Sequence, residues 1–297
     1  MLKWRGTPYT FEEFTALADA LAALRPIDSP SFLFNLQKGI LDHFFGMDWF
    51  QRFGSEHAPK RSYLRPAFDE AGEATDFSMR LLNLSEMLWN LQGVGGVRNP
   101  LEDIASGQIE PGLAELQAGM LLMKNGHRFR YVDRAAGRRT YDIEIETSER
   151  PWPTEVKCKI DSTDLSEATI VSALKKAHDQ LPPDDAGGGI VFMRCPGAWA
   201  VDGTRAVWLP PETITAVNAY VQSTRRIGLV VPYVFHYERR ETDLLVTLGV
   251  REIPSYRHPG LIWWERPLLS MDDRGHWETW PALIDRWNAR RTPGHRT

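Results

Sequence analysis

The chain has 297 residues, 42% hydrophobic and 25% charged, an ordinary balance for a globular protein with enough apolar surface to build its own core. A formal net charge of −4 excludes a protein that coats nucleic acid through bulk positive charge, so any such contact must come from local basic patches. Cys158 and Cys195 are too few for a disulfide framework and form no CxxC pair, no apolar run approaches the about 18–20 residues of a membrane span, and the start lacks the apolar core of a secretory signal; together these predict a reducing, cytoplasmic setting with no membrane partner.

Residues 1–108 read as a mainly helical region. Thr10 and Glu13 form a capping-box pattern, after which Phe11, Phe14, Leu17, Ala18 and Leu21 recur at helical spacing. A second helix is expected around Phe34–Phe45 and a long polar loop over 54–73. Phe77, Leu81, Leu84, Leu88 and Leu91 make one stripe of a third helix. Gly93, Gly95 and Gly96 end it; they lack the Lys-Ser/Thr of a phosphate-binding loop and read as a linker. Asn99 is placed to cap a short helix opening on Pro100.

Residues 109–297 read as an α/β domain with a C-terminal extension. A helix over 111–125 stops at Gly126, a strand spans Phe129–Val132, and Ala135-Ala136-Gly137 reads as its turn. Strands over 140–146 and 154–160, a helix over 166–181, a buried strand over 190–194, a helix over 212–225 and a strand pair over 230–239 and 244–252 follow. Basic clusters lie between Lys124 and Arg139 (with His127, Arg128, Arg130, Arg134 and Arg138) and in the tail (Arg286, Arg290, Arg291, Arg296); solvated faces explain both. The tail's Trp263, Trp264, Trp277, Trp280 and Trp287 fit core or interface positions better than base stacking, since no basic residues alternate with them.

The chemistry-bearing residues lie on the two strands before the 166–181 helix. Strand side chains alternate faces, so Asp142, Glu144 and Glu146 share one face and Glu155, Lys157 and Lys159 share one face of the next strand. Antiparallel pairing brings Asp142, Glu155 and Lys157 together beside a polar cleft. Two carboxylates are hard oxygen ligands suited to Mg²⁺ or Mn²⁺, and a lysine two residues after the second acid can position a water or stabilise a charged transition state. Adjacent carboxylates repel, so at least one is expected to hold its proton more tightly than usual. The competing reading is a charged hairpin face with Glu-Lys cross-strand pairs worth about 0.2–1 kcal/mol each. Yet of the eight lysines only Lys157 follows an acid by two. The histidines lack HxxxH or HExxH spacing, which argues against zinc, and His178 reads as a helix-surface residue. Cys158 falls on the apolar face and reads as core, and no GxSxG elbow occurs.

Tyr141-Asp142 followed thirteen positions later by Glu155-Val156-Lys157 resembles the PD-(D/E)xK nuclease superfamily, the restriction-endonuclease-like fold. The resemblance spans residues 111–194 and departs at Tyr141, where the motif has proline. It implies an α-β-β-β-α-β core with a mixed sheet and a metal-dependent nuclease, with DNA the favoured substrate over RNA and a homodimer possible. It implies metal ligation by Asp142 and Glu155, helped by the Val156 carbonyl, with Glu115 on the preceding helix supporting the metal and Gln180 on the following helix orienting Lys157 or a phosphate. Lys176 lies one turn before Gln180 on the same flank. Glu144 competes with Asp142 as the first acid; Asp142 is preferred for its place at the strand start. The rival function is a catalytically silent nucleic-acid-binding or assembly module on the same fold, and a third is a host-defence or toxin-system effector.

Overall fold

A computed structural model describes residues 2–55, 58, 63–64, 73–133, 141–148, 150–159, 163–183, 188–202, 207–239, 244–257, 267–269 and 275–291. The chain divides into two compact units. One comprises residues 1–93, 101–109 and 277–297, the other 94–100 and 110–276.

The first unit is helical. The Thr10 hydroxyl accepts the Glu13 N–H (3.2 Å) and the Glu13 carboxylate accepts the Thr10 N–H (2.7 Å), so the expected capping box opens α1 (Phe11–Ala22). Helix α2 (Pro30–Phe45) starts four residues earlier than its apolar stripe suggested, because Ser29 caps it and Pro30 fits the first turn. Helix α3 (Met47–Phe53) follows, and α4 (Glu73–Leu91) buries the stripe Phe77, Leu81, Leu84, Leu88 and Leu91. The polar stretch expected over 54–73 falls mostly outside the described residues. The unit closes with the C-terminal helix, Trp280–Arg291, whose Trp280 and Trp287 are buried. Trp280 and Trp287 use their indole N–H on Ser85 (3.1 Å) and Asp19 (2.9 Å), as core tryptophans with a polar handle should. Trp263 and Trp264 lie outside the described residues.

A short helix, α5 (Arg98–Ser106), begins one residue before Asn99. Asn99 is therefore inside the helix and not its cap; its amide donates to Val132 O at 2.6 Å.

The second unit is mixed α/β. Helix α6 (Ile109–Lys124) leads into β1 (Arg128–Tyr131), β2 (Ile143–Glu146) and β3 (Trp152–Cys158). Then come α7 (Glu167–Gln180), β4 (Gly189–Arg194), a small hairpin of β5 (Val201–Asp202) and β6 (Val207–Trp208), α8 (Pro211–Ser223), β7 (Ile227–Arg239), β8 (Leu244–Val250) and β9 (Ile253–Pro254). The main sheet runs β1-β2-β3-β4-β7-β8, with β9 also on β7. The β1/β2 and β2/β3 pairs are antiparallel, β3/β4 and β4/β7 parallel, and β7/β8 antiparallel. The two strands expected to pair do so, with Ile143 opposite Thr154 and Ile145 opposite Trp152. The turn expected at Ala135-Ala136-Gly137 lies outside the described residues.

Both faces of the sheet's centre are covered. In the β3/β4 register Glu155 and Lys157 align with Val191 and Met193, which join α7 and α8 residues in one core. Val156 and Cys158 align with Phe192 and Arg194 on the other face, where Tyr233 donates to Ala114 O of α6 at 3.0 Å. Parallel strands covered twice read as continuous apolar runs, and every residue of β4 is buried. The glycine cluster is more than a linker: Gly95 O accepts the Tyr131 N–H at 2.8 Å, on the edge strand β1. Gly96 has φ +74°, and a Cβ there would stand 1.9 Å from Tyr131 O, so only glycine fits. Among the described residues, no helix is long and apolar enough to cross a membrane.

Candidate functional site

Asp142 sits on a bend just before β2, and not inside the strand as the alternation suggested. Its backbone still joins the ladder: its N–H donates to Thr154 O (3.1 Å) and its carbonyl accepts from Val132 N (2.9 Å). The β2/β3 register ends at Ile143–Thr154, so β2 offers no carbonyl to the next outward amide of β3. The Asp142 carboxylate fills that place, accepting the Val156 N–H on Oδ2 at 2.8 Å. A side chain that leaves the pleat in this way crosses to β3 and reaches Glu155.

Glu155 is 1% exposed, although its strand pattern predicted a polar cleft. Alternation assigns a face; it does not say whether that face meets water, and here α7 packs on it. Glu155 Oε1 accepts from Lys157 Nζ, and among the described residues Oε2, also buried, has no hydrogen-bond partner. Burial first, and then the Asp142 carboxylate, push the Glu155 pKa up to about 8, against the opposing pull of Lys157. One of the paired acids thus holds its proton tightly, with burial contributing more than the adjacency to which the sequence pointed.

Lys157 Nζ is shared between Glu155 Oε1 and Gln180 Oε1. Gln180 is the last residue of α7, which returns along β3 as the crossover to β4. The structure therefore brings four of the expected residues together: Asp142, Glu155, Lys157 and Gln180. Val156 stands between them and gives its N–H to Asp142.

Glu115 does not complete the group. It is buried on α6, its carbonyl accepting from Tyr131 OH (3.4 Å), on the sheet face that carries Tyr233 and Cys158. Its charge adds to burial in raising the pKa of Tyr131 and Tyr233. Among the described residues no three His, Cys, Asp or Glu side chains cluster closely enough to hold a metal ion. Helical spacing fixes which residues share a flank of α6, but not which face of the sheet that flank meets.

Glu144, the competing first acid, is engaged elsewhere. It faces its cross-strand partner Arg130 (2.9 Å to Nε) and accepts from Tyr141 OH (2.8 Å). Arg286, Arg290 and Arg291 of the basic tail pair with Glu278, Glu12 and Asp19, and Arg286 also stacks on Phe11. Arg134, Arg138 and Arg296 lie outside the described residues. His178 lies beside Asp179 (3.2 Å), on the exposed side of α7. Cys158 is half-buried, 3.5 Å from Arg194 Nη1 and on the face away from Lys157. Lys159 and Lys176 continue the same strand face and helix flank, two residues beyond Lys157 and one turn before Gln180.

The carboxylate pair fits a divalent cation in its chemistry. Glu155 Oε2 is a buried oxygen without a donor among the described residues, and a second carboxylate lies beside it. Without a cation a proton on Glu155 relieves the repulsion of the pair, and a divalent cation in its place would be held by both carboxylates. Comparison with protein-family models, curated proteins and solved structures finds no match to this chain.

Proposed function

We propose that the second unit is a metal-dependent phosphodiesterase acting on nucleic acid, with DNA the favoured substrate, built on a restriction-endonuclease-like core. The observation that carries this reading is the convergence of Asp142, Glu155, Lys157 and Gln180, with Glu155 buried, its pKa raised to about 8, and one of its oxygens without a donor among the described residues. Acids shifted by burial and by a like charge, beside a lysine, concentrate at catalytic centres. The strand order and the α-β-β-β-α-β succession over 109–194 accord with that fold.

Asp142 and Glu155 would hold Mg²⁺ or Mn²⁺, with the Val156 carbonyl as a further oxygen. When bound, the cation neutralises phosphate charge and acidifies a water. Lys157 is aimed by Gln180 and Glu155, so its ammonium meets charge developing on the scissile phosphate without itself ligating a metal. Asp142 also pins the Val156 amide, which holds the two strands in register where the carboxylates meet.

The test compares wild type, Lys157→Ala and Glu155→Gln on single- and double-stranded DNA and RNA with Mg²⁺ and Mn²⁺. Lys157→Ala is expected to lose about 10²–10³-fold in rate while keeping metal-induced thermal stabilisation. Glu155→Gln should lose both. Equal cleavage by all three identifies a contaminant. No cleavage by wild type, with nucleic-acid binding intact, establishes the silent binding module instead.

A further inference from the structure

Beyond the carboxylate pair, the same strand and helix present a second polar pair. Strand β3 runs toward Cys158, and Lys159 continues its ladder by donating its N–H to Arg194 O at 3.0 Å. Lys159 therefore follows Lys157 on the same face, about 6.6 Å further along at about 3.3 Å per residue. Because β3 and β4 are parallel, α7 must run back against β3. Lys176 precedes Gln180 by one turn, about 6 Å at about 1.5 Å per residue, on the same flank. The two advances match. As Gln180 meets Lys157, Lys176 comes opposite Lys159.

This second rung is all positive. Lys159 is half-buried, and its pKa is lowered first by burial and then by Lys176. Neither ammonium has a carboxylate partner among the described residues, whereas Lys157 at the first rung has Glu155. Two facing cations without a counter-ion repel, and an anion placed between them removes the repulsion.

We propose that Lys159 and Lys176 form an anion subsite that takes the phosphate adjoining the scissile one. The proposal rests on the nuclease reading for the identity of the neighbouring group, and on the two-rung geometry for the subsite itself. The ladder extends in one direction only, from Gln180–Lys157 toward Lys176–Lys159. It therefore also sets the direction in which the substrate backbone leaves the reaction centre. Its contacts are to phosphate and carry no base preference.

The experiment measures binding of a fluorescent single-stranded 12-mer DNA to the full chain in EDTA, over a range of salt, so that chemistry plays no part. The Lys159→Gln/Lys176→Gln double variant should bind about tenfold more weakly. Its slope of log affinity against log salt should fall by about 0.7, the value for one phosphate neutralised on a single strand. Lys175→Gln, exposed and one position round the helix, is the control for bulk charge and should leave the slope close to wild type. An equal effect of Lys175→Gln and of either single lysine change overturns the proposal. So does an unchanged slope in a double variant whose melting temperature is unchanged. If inorganic phosphate raises the melting temperature of wild type but not of the double variant while DNA affinity is equal in both, the site takes free phosphate and the polymer assignment is wrong. Failure of the nuclease reading shows separately, as wild type that binds the 12-mer with the predicted slope but cleaves nothing in Mg²⁺ or Mn²⁺.

Discussion

Glu86 and Glu155 are both buried glutamates, one in each unit, and they are treated in opposite ways. Glu86, 8% exposed on α4, has a donor for each oxygen: the Trp277 indole N–H at 2.5 Å and the Trp280 backbone N–H at 3.1 Å. Glu155 has Lys157 on one oxygen, no donor among the described residues on the other, and the Asp142 carboxylate within hydrogen-bonding reach. A buried acid surrounded by donors ties elements together. A buried acid short of donors and beside a like charge is unfavourable where it stands, and persists because something else uses it. Glu86 serves to tie its unit together, whereas Glu155 keeps one oxygen that no donor among the described residues reaches.

Exchanging each glutamate for its amide tests that contrast most directly. Glu155→Gln should abolish cleavage, a loss of at least about 10²-fold, yet melt no lower than wild type at pH 7, because Glu155 is already mostly neutral there and the amide keeps that neutral state. A drop in melting temperature as large as that of Glu86→Gln would erase the distinction. Glu86→Gln should do the reverse. Its amide turns an N–H toward a donor, costing about 1–3 kcal/mol in denaturant unfolding, and cleavage per folded molecule should be unchanged.

The pH dependence of stability tests the state of Glu155 more finely. Folding raises the Glu155 pKa from 4.5 to about 8, so the native state keeps a proton that the unfolded state releases. The stability this proton contributes is fully present below about 4.5 and is lost as pH climbs to about 8, at up to about 1.4 kcal/mol per pH unit. Unfolding free energies between pH 5 and 8 should fall less steeply in Glu155→Gln than in wild type. Parallel curves would show that Glu155 titrates normally. The smallest effect belongs to the helical unit: Thr10→Ala removes the α1 cap and should cost about 1 kcal/mol in thermal unfolding, with no change in cleavage.

Much of this was legible in the sequence where a signal is local. The Thr10–Glu13 box, the α4 stripe and the Ile143/Ile145 alternation each need only a few neighbouring residues, and each appears in the structure. The meeting of Asp142, Glu155, Lys157 and Gln180 was also legible, since one strand pairing and one crossover helix position all four. What was hidden depends on packing between distant segments. Nothing in α6 says which sheet face it covers, and that face decides whether Glu115 can approach Asp142 and Glu155. Nothing in the Trp280–Arg291 helix says that it returns to α4, since an apolar stripe announces burial without naming the surface that buries it. The choice between Asp142 and Glu144 required the register that sets Glu144 opposite Arg130.

The Gly95–Gly96 bend has a consequence for the behaviour of the molecule in company. Strand β1 ends the sheet, and an open edge of unpaired amides is a template on which another chain can add a strand. Gly95 O already occupies the Tyr131 amide, and Gly96 lets the backbone press against that edge. The bend thus acts as a guard against sheet extension at Tyr131, made from main chain alone and dependent on a position that tolerates no side chain.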